Sequence, residues 1–245
     1  MITRPPLEFN DAFPWMILCD FDGTISAEDT TDTLLARFAL PGWERLEQQW
    51  LAGEIGSGEC MSGQIALLDM TREALDNCLS GISIDPAFKQ FVALARRLNV
   101  PLKIVSDGLD YAIQRILDRH GLGHLTVIAN HLEQQGERSW GLQFPWRAPH
   151  CRCANGVCKC AIAQRVKGRV LMVGDGHSDF CVAAQADHVL AKGSLIGECR
   201  RKGIAHTAFN DFSDAVPALE QLLNSPDGKC PPFSFNPLMP WRTHD

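Results

Sequence analysis

The chain has no apolar run approaching the roughly 18 residues that a membrane-spanning helix needs, so no span is expected. Near the start, Arg4 is followed by Pro5-Pro6-Leu7-Glu8 in place of a basic region and a long apolar segment, and a signal peptide is not expected. Positive charge is in deficit: 23 Lys and Arg against 29 Asp and Glu leave a formal net charge of −6. That balance disfavours nucleic acid or an anionic membrane as the main partner. No internal repeat is visible. What remains is a chain of 245 residues, 45% of them hydrophobic, which is enough for a sizeable core with a modest insertion. A cytoplasmic protein, monomer or homodimer, is the expectation.

Cysteine, by contrast, is plentiful, with ten in the chain. Cys19, Cys60, Cys78, Cys181 and Cys199 are scattered through apparent strands and helices, as small buried or half-buried side chains often are. Reduced thiols are the better reading of them. The exception is His150 to Cys160, where Cys151, Cys153, Cys158 and Cys160 crowd together. This CxC…CxC spacing could close on a structural zinc or form a local disulfide. It is tighter than the usual CxxC knuckle, and thiolates two residues apart strain one tetrahedral site. Free thiols shaping the loop before Lys159 are the preferred reading.

The chemistry concentrates at the ends of apolar runs. Trp15-Met16-Ile17-Leu18 leads into Cys19-Asp20-Phe21-Asp22-Gly23-Thr24. A strand sends alternate side chains to one face, so Asp20 and Asp22 can converge where it stops. In open α/β sheets that edge is where ligands bind. Two carboxylates about 4 Å apart repel by roughly 4 kcal/mol at an effective dielectric near 20, so a cation is expected. Val170-Leu171-Met172-Val173 runs in the same way into Gly174-Asp175-Gly176-His177-Ser178-Asp179. Two such ends side by side would gather four carboxylates, and oxygen ligands favour Mg²⁺, which leaves room for a phosphate. Either motif alone also reads as an Asp-Gly turn or a helix cap.

Leu102-Lys103-Ile104-Val105 runs into Ser106-Asp107-Gly108. There a hydroxyl and backbone N–H groups can meet a phosphate oxygen, or the serine can simply cap a helix starting near Leu109. Lys159 opens a helical stretch over 158–167 and offers a compact point charge, although a lone lysine is more often solvated surface.

In this order the DxDGT segment, the strand-end serine, the lysine and GDGxxD resemble the signature motifs of the haloacid dehalogenase (HAD) phosphatases, over most of residues 15–223. The resemblance implies Asp20 as nucleophile, Asp22 as general acid/base, and Ser106 and Lys159 as holders of the phosphoryl group. It further implies Mg²⁺ on Asp20, the Asp22 backbone carbonyl and Asp175, with Asp179 in support. CDFDGTI, Pro41-Gly42-Trp43, the cysteine-rich stretch and the segment Ala191 to Arg200 look like the 2-hydroxy-3-keto-5-methylthiopentenyl-1-phosphate phosphatases of methionine salvage. Phosphoserine and phosphocholine/phosphoethanolamine phosphatases are more distant kin. A small phosphorylated metabolite is the implied partner.

Helical spacing in Leu34-Leu35-Phe38, Trp43-Leu46-Trp50 and Ile65-Leu67-Leu68 predicts a helical cap over 27–81, inserted into a core of 1–26 and 82–224. Alternating elements over 85–98, 101–105, 109–120, 125–129, 158–167, 169–173, 178–186, 188–191, 194–203 and 211–223 predict a three-layer α/β/α Rossmann-like fold with a mostly parallel sheet. Residues 131–147 read as a hairpin or long loop, and 225–245 as an irregular proline-rich tail. Asp29 and Asp32 either touch the leaving group or cap the first cap helix. Trp43, Trp50, Met61 and Met70 either line an apolar pocket or form the cap's own core. The rival readings are a phosphatase for phosphoserine, phosphocholine or pyridoxal phosphate, a phosphotransferase sharing the aspartyl-phosphate, and a noncatalytic zinc-bearing interaction module.

Overall fold

The structure, a computed structural model, describes residues 13–148 and 155–224. Strand β1 (Trp15–Cys19) is followed by four helices, α1 (Thr30–Phe38), α2 (Trp43–Leu51), α3 (Ser57–Ala66) and α4 (Arg72–Leu79). Then come α5 (Phe88–Arg97), β2 (Leu102–Leu109), α6 (Asp110–Arg119), β3 (Thr126–Gln134) and β4 (Trp140–Gln143). The chain continues through α7 (Lys159–Ala163), β5 (Arg169–Gly174), α8 (Phe180–Ala183), β6 (His188–Ala191), α9 (Gly193–Lys202), β7 (His206–Ala208) and α10 (Phe212–Asn224).

Seven strands form one sheet in the order β4-β3-β2-β1-β5-β6-β7. All neighbours are parallel except β3 and β4, which make an antiparallel hairpin. All five residues of β1 are buried, because a parallel strand is covered on both faces and therefore reads as a continuous apolar run. Its alternation shows in the two cores. Trp15, Ile17 and Cys19 join helices α5, α6 and α10 through Phe88, Phe91, Ile113, Phe212 and Leu219. Met16 and Leu18 face the other way, onto α7, α8 and α9 through Ile162, Val182 and Leu195. This is the three-layer α/β/α arrangement that the sequence alternation predicts. Among the described residues no helix is long and apolar enough to cross a membrane.

Helices α1–α4 leave and rejoin the core at adjacent backbone, where Ser26 bridges Ile84 and the Asp85 N–H donates to the Ile25 carbonyl at 2.8 Å. Leu34, Leu35, Leu75 and Leu79 share an apolar cluster with α5 and α6, so the inserted helices are packed onto the core. The β3–β4 hairpin holds the α3–α4 junction: Met70 N–H donates to the Arg138 carbonyl at 3.1 Å, and Trp140 Nε1 donates to the Met70 carbonyl at 2.9 Å.

Several boundaries differ from the sequence expectation. The strand expected over 101–105 continues to Leu109, because a register shift against β3 between Val105 and Leu109 absorbs the Ser106-Asp107-Gly108 segment as a bulge. The helix expected over 158–167 stops at Ala163, where turn bonds from Arg165 to Ile162 and from Val166 to Ala163 tighten the chain. The stretch 178–186 begins as a 3₁₀ turn over His177–Asp179 before α8. The proline-rich segment 225–245 and Cys151 and Cys153 lie outside the described residues.

The three phenyl rings of Phe88, Phe91 and Phe212 fasten α5 to α10, with Phe88 and Phe212 edge-to-face at 4.8 Å and all three fully buried. Phe212→Ala should lower the unfolding free energy by about 3–5 kcal/mol, as expected for emptying a buried phenylalanine site. Urea denaturation followed by circular dichroism measures it, and a change below the error of the fit would disprove this account of the packing.

Candidate active site

Strands β2, β1 and β5 lie side by side, so their carboxyl ends deliver three loops to one place, with β1 at the point where the strand order reverses. Asp20 is the residue after β1 and Asp175 the residue after β5. Asp20 is anchored at the backbone, its N–H donating to the Val173 carbonyl at 2.9 Å, while its Oδ1 accepts from Phe21 N–H at 2.8 Å. Asp175 Oδ1 accepts from the Thr24 hydroxyl at 2.6 Å. The approach is too close for a side chain at position 23: a Cβ on Gly23 would sit 2.5 Å from Asp175 Oδ2, and the residue is left-handed with φ +72°.

Lys159, at the start of α7, is 3% exposed. Its Nζ lies 2.7 Å from Asp20 Oδ2 and 2.6 Å from Asp179 Oδ1, and it donates to the Ser178 hydroxyl at 3.1 Å. Burial alone would lower the ammonium's pKa, but the Asp179 and Asp20 carboxylates outweigh it and hold the pKa above the ordinary lysine range. Asp179, wholly buried, also accepts from the backbone N–H of Asp175 at 3.1 Å and of Gly176 at 3.4 Å. It thereby shapes the β5 loop as well as pairing with the lysine.

Asp22 is turned away from this cluster toward the start of α1, where its Oδ1 accepts from Thr30 N–H at 2.8 Å. Burial, and then the neighbouring Asp29 carboxylate, push its pKa up to about 7. A Cβ on Gly108 would come within 2.5 Å of Asp22 Oδ2, so the glycine lets the Ser106 turn close over this carboxyl. Ser106 is buried and its hydroxyl accepts from Gly108 N–H at 2.9 Å. The serine closes its own turn, and the expected cap on the following helix is not made: the N-cap position of α6 is Leu109, without a side-chain bond.

Asp107 binds protein groups. Its Oδ1 accepts from Val157 N–H at 2.8 Å and its Oδ2 lies 3.4 Å from the Ser57 hydroxyl on α3. Burial raises its pKa, opposed by the Val157 bond and by Lys159. Asp29 is the N-cap of α1, accepting from Asp32 N–H at 2.9 Å, and with Asp32 it also lines the central cavity.

That cavity, about 470 Å³, is bounded below by Asp20, Asp22, Asp175, Ser106 and Gly108, and above by residues of α1–α3. Trp50 and Met61 line it, whereas Met70 is fully buried and Trp43 packs against the apolar core. Glu47, Gln64, His177 and Ser178 also line it. Of these, His177 and Ser178 sit inside the second Asp motif, whose carboxylates could have flagged them; Glu47 and Gln64 carry no sequence signal.

Asp20, Asp175 and Asp179 present carboxylate oxygens within 4.8 Å of one another. One lysine cannot neutralise three carboxylates, and the donors are all hard oxygens, so the residues fit a divalent cation of the Mg²⁺ or Ca²⁺ kind. Of the clustered cysteines, only Cys158 and Cys160 are among the described residues. Cys19, Cys60, Cys78 and Cys199 are buried free thiols, while Cys181 is exposed.

Residues 17–184 match the haloacid dehalogenase-like hydrolases, and the chain belongs to that family. It is a phosphatase by class. A 2-hydroxy-3-keto-5-methylthiopentenyl-1-phosphate phosphatase of Geobacillus thermodenitrificans (strain NG80-2) is 32% identical over 218 residues, covering 84% of this chain and 96% of that protein. Its counterpart in Exiguobacterium sibiricum is 34% identical over 215 residues, covering 83% and 95%. A phospho-aspartyl intermediate analogue of phosphoserine phosphatase shares the fold, with a TM-score of 0.61 at 19% identity over 83% of this chain and 97% of that one.

Lys159→Met should destabilise the metal-free protein by about 3–5 kcal/mol, since it strips the counter-charge from two buried carboxylates. Chemical denaturation in chelator checks this, and wild-type stability would mean that the ammonium balances nothing.

Proposed function

We propose that this chain is a Mg²⁺-dependent phosphomonoester hydrolase acting through an aspartyl-phosphate on Asp20, with a small hydroxylated, thioether-bearing metabolite phosphate as substrate. The observation that carries the reading is the convergence of Asp20, Asp175, Asp179 and Lys159 at one sheet edge beside a cavity. Asp20 attacks phosphorus as the bond to the leaving oxygen breaks, and the resulting acyl phosphate is then hydrolysed by water. Asp22 gives its proton to the leaving oxygen and later takes one from the water. Lys159 and the Ser106 turn bind the equatorial phosphoryl oxygens, where preorganised charge has most effect. Mg²⁺, held by Asp20, Asp175 and the Asp22 backbone carbonyl with Asp179 in support, supplies further positive charge to those oxygens when bound.

The segment 27–81 acts in this reading as a cap over the leaving group. Trp50 and Met61 supply apolar surface, while Asp29, Asp32 and Glu47 accept hydrogen bonds from hydroxyl groups. The charged side chains among the described lining residues of the cap are Asp29, Asp32 and Glu47, which suit a hydroxyl or ammonium group on the leaving group better than a carboxylate. The same features favour the substrate named for the relatives from Geobacillus and Exiguobacterium. A cytoplasmic setting suits the buried free thiols.

Three outcomes test the reading. Asp20→Asn should abolish both turnover and phosphoenzyme, whereas Asp22→Asn should still accumulate phosphoenzyme slowly; trapping with acid quench distinguishes them, and an active Asp20 variant would remove the nucleophile. Because the proton on Asp22 must be present to release the alkoxide, kcat/KM should fall as pH rises through about 7, and Asp22→Asn should flatten that limb. In a phosphate-release screen with Mg²⁺, the hydroxy-keto-methylthiopentenyl phosphate should outpace phosphoserine by at least roughly tenfold, the scale of one unpaired group in a site. Preference for phosphoserine, or transfer of the phosphoryl group to an added alcohol in place of water, would redirect the assignment.

A further inference from the structure

Asn130 is polar, lies on β3 in the interior of the sheet, and is 0% exposed. Its Nδ2 donates to the Asp107 carbonyl at 2.5 Å, with Asp107 Oδ1 at 3.3 Å and the Met61 sulfur at 3.5 Å. Among the described residues its Oδ1 has no hydrogen-bond partner, a costly arrangement for a buried amide unless something else holds it there. The backbone of Gly156 packs directly on it: a Cβ at that position would overlap both amide atoms and the Phe144 ring. One residue on, Val157 N–H is held by the Asp107 carboxylate at 2.8 Å. Two residues further comes Lys159, whose Nζ reaches Asp20 and Asp179.

Three segments therefore meet at one buried side chain. The Ser106-Asp107-Gly108 turn is held through the Asp107 carbonyl, the loop before Lys159 through Gly156 and Val157, and α3 through Met61 and the Ser57 contact to Asp107. Asp107 thus works through its neighbours, although it borders the cavity. We propose that Asn130 is a positioning residue for the reaction: with Asp107 it sets the loop that delivers Lys159, and through Met61 and Ser57 it ties that setting to α3. It touches no reacting atom, and the effect proposed for it is the one exerted on Lys159 through the Gly156-Val157 loop. The kinetic part of the inference rests on the phosphatase reading; the binding part does not.

The test is a double-mutant cycle with Lys159→Met, read out by Mg²⁺-dependent phosphate release and by calorimetric titration of orthovanadate, a phosphoryl mimic. Asn130→Leu keeps the branched outline of the side chain, at a larger volume, and removes the amide; it should lower kcat on the order of 10- to 100-fold with little change in KM, as displaced supporting groups do. It should weaken orthovanadate binding as well. In the Lys159→Met background the same substitution should change neither quantity further, because the group it positions is gone. If Asn130→Leu does not fold, Asn130→Ser, whose shorter hydroxyl cannot span both Asp107 oxygens, enters the same cycle with a smaller loss expected. Additive effects in the double variant, or a lowered Tm with kcat and orthovanadate binding untouched, would overturn the proposal and leave Asn130 a packing residue. A wild-type protein that binds orthovanadate yet releases phosphate from no ester would sink the phosphatase reading alone, and the binding cycle would still decide the role of Asn130. Absence of orthovanadate binding to wild type would overturn both.

Discussion

A single buried ammonium between two carboxylates is the constraint around which this site is arranged. Lys159 Nζ sits within 2.7 Å of Asp20 and 2.6 Å of Asp179, while Asp175 completes a cluster whose oxygens lie within 4.8 Å. At that spacing each pair of carboxylates repels by roughly 3–4 kcal/mol with an effective dielectric near 20. The lysine offsets part of this, and the excess negative charge that remains is what makes the site receptive to a cation. The same charge balance explains why Lys159 stays charged although it is buried.

Holding that cluster together demands close backbone approach at the strand ends. Gly23 faces Asp175, Gly108 faces Asp22, and a Cβ on Gly174 would overlap the Asp179 carboxylate. Gly23 and Gly108 each remove a side chain where loops from neighbouring strands would otherwise be kept apart, and Gly174 does the same within the β5 loop. The helices support the arrangement from outside: α1 presents its first N–H, that of Thr30, to Asp22, and α7 begins at Lys159 itself. Separation of Asp22 from the Asp20 cluster gives two carboxyl groups two residues apart different environments, one paired with Lys159 and one whose pKa burial pushes up to about 7.

Much of the core fold was legible because buried parallel strands read as unbroken apolar runs and the helices between them as amphipathic repeats. The Asp motifs, Ser106 and Lys159 were visible because each follows an apolar run or opens a helix. Where one local pattern served two purposes, spacing could not choose. Trp50 and Met61 line the cavity while Trp43 and Met70 pack into the interior, yet all four lie on or beside helices of the same insertion with similar apolar periodicity. Asp29 proved both a cap and a wall of the cavity. The strand continuing through Ser106 to Leu109 was hidden because a bulge is a property of the pairing with β3, not of the residues in β2.

By itself, then, the sequence determined which elements form, that they alternate, and which ionisable groups stand at their ends, since those follow from local periodicity and turn chemistry. Tertiary structure decided which of those ends become neighbours and which polar groups are left to hold them. Asn130 lies 23 residues from the Asp107 it brackets, and Lys159 lies 139 residues from Asp20. Such contacts depend on strand order and register, which bring distant segments together through long-range packing, and no local pattern in the chain records them.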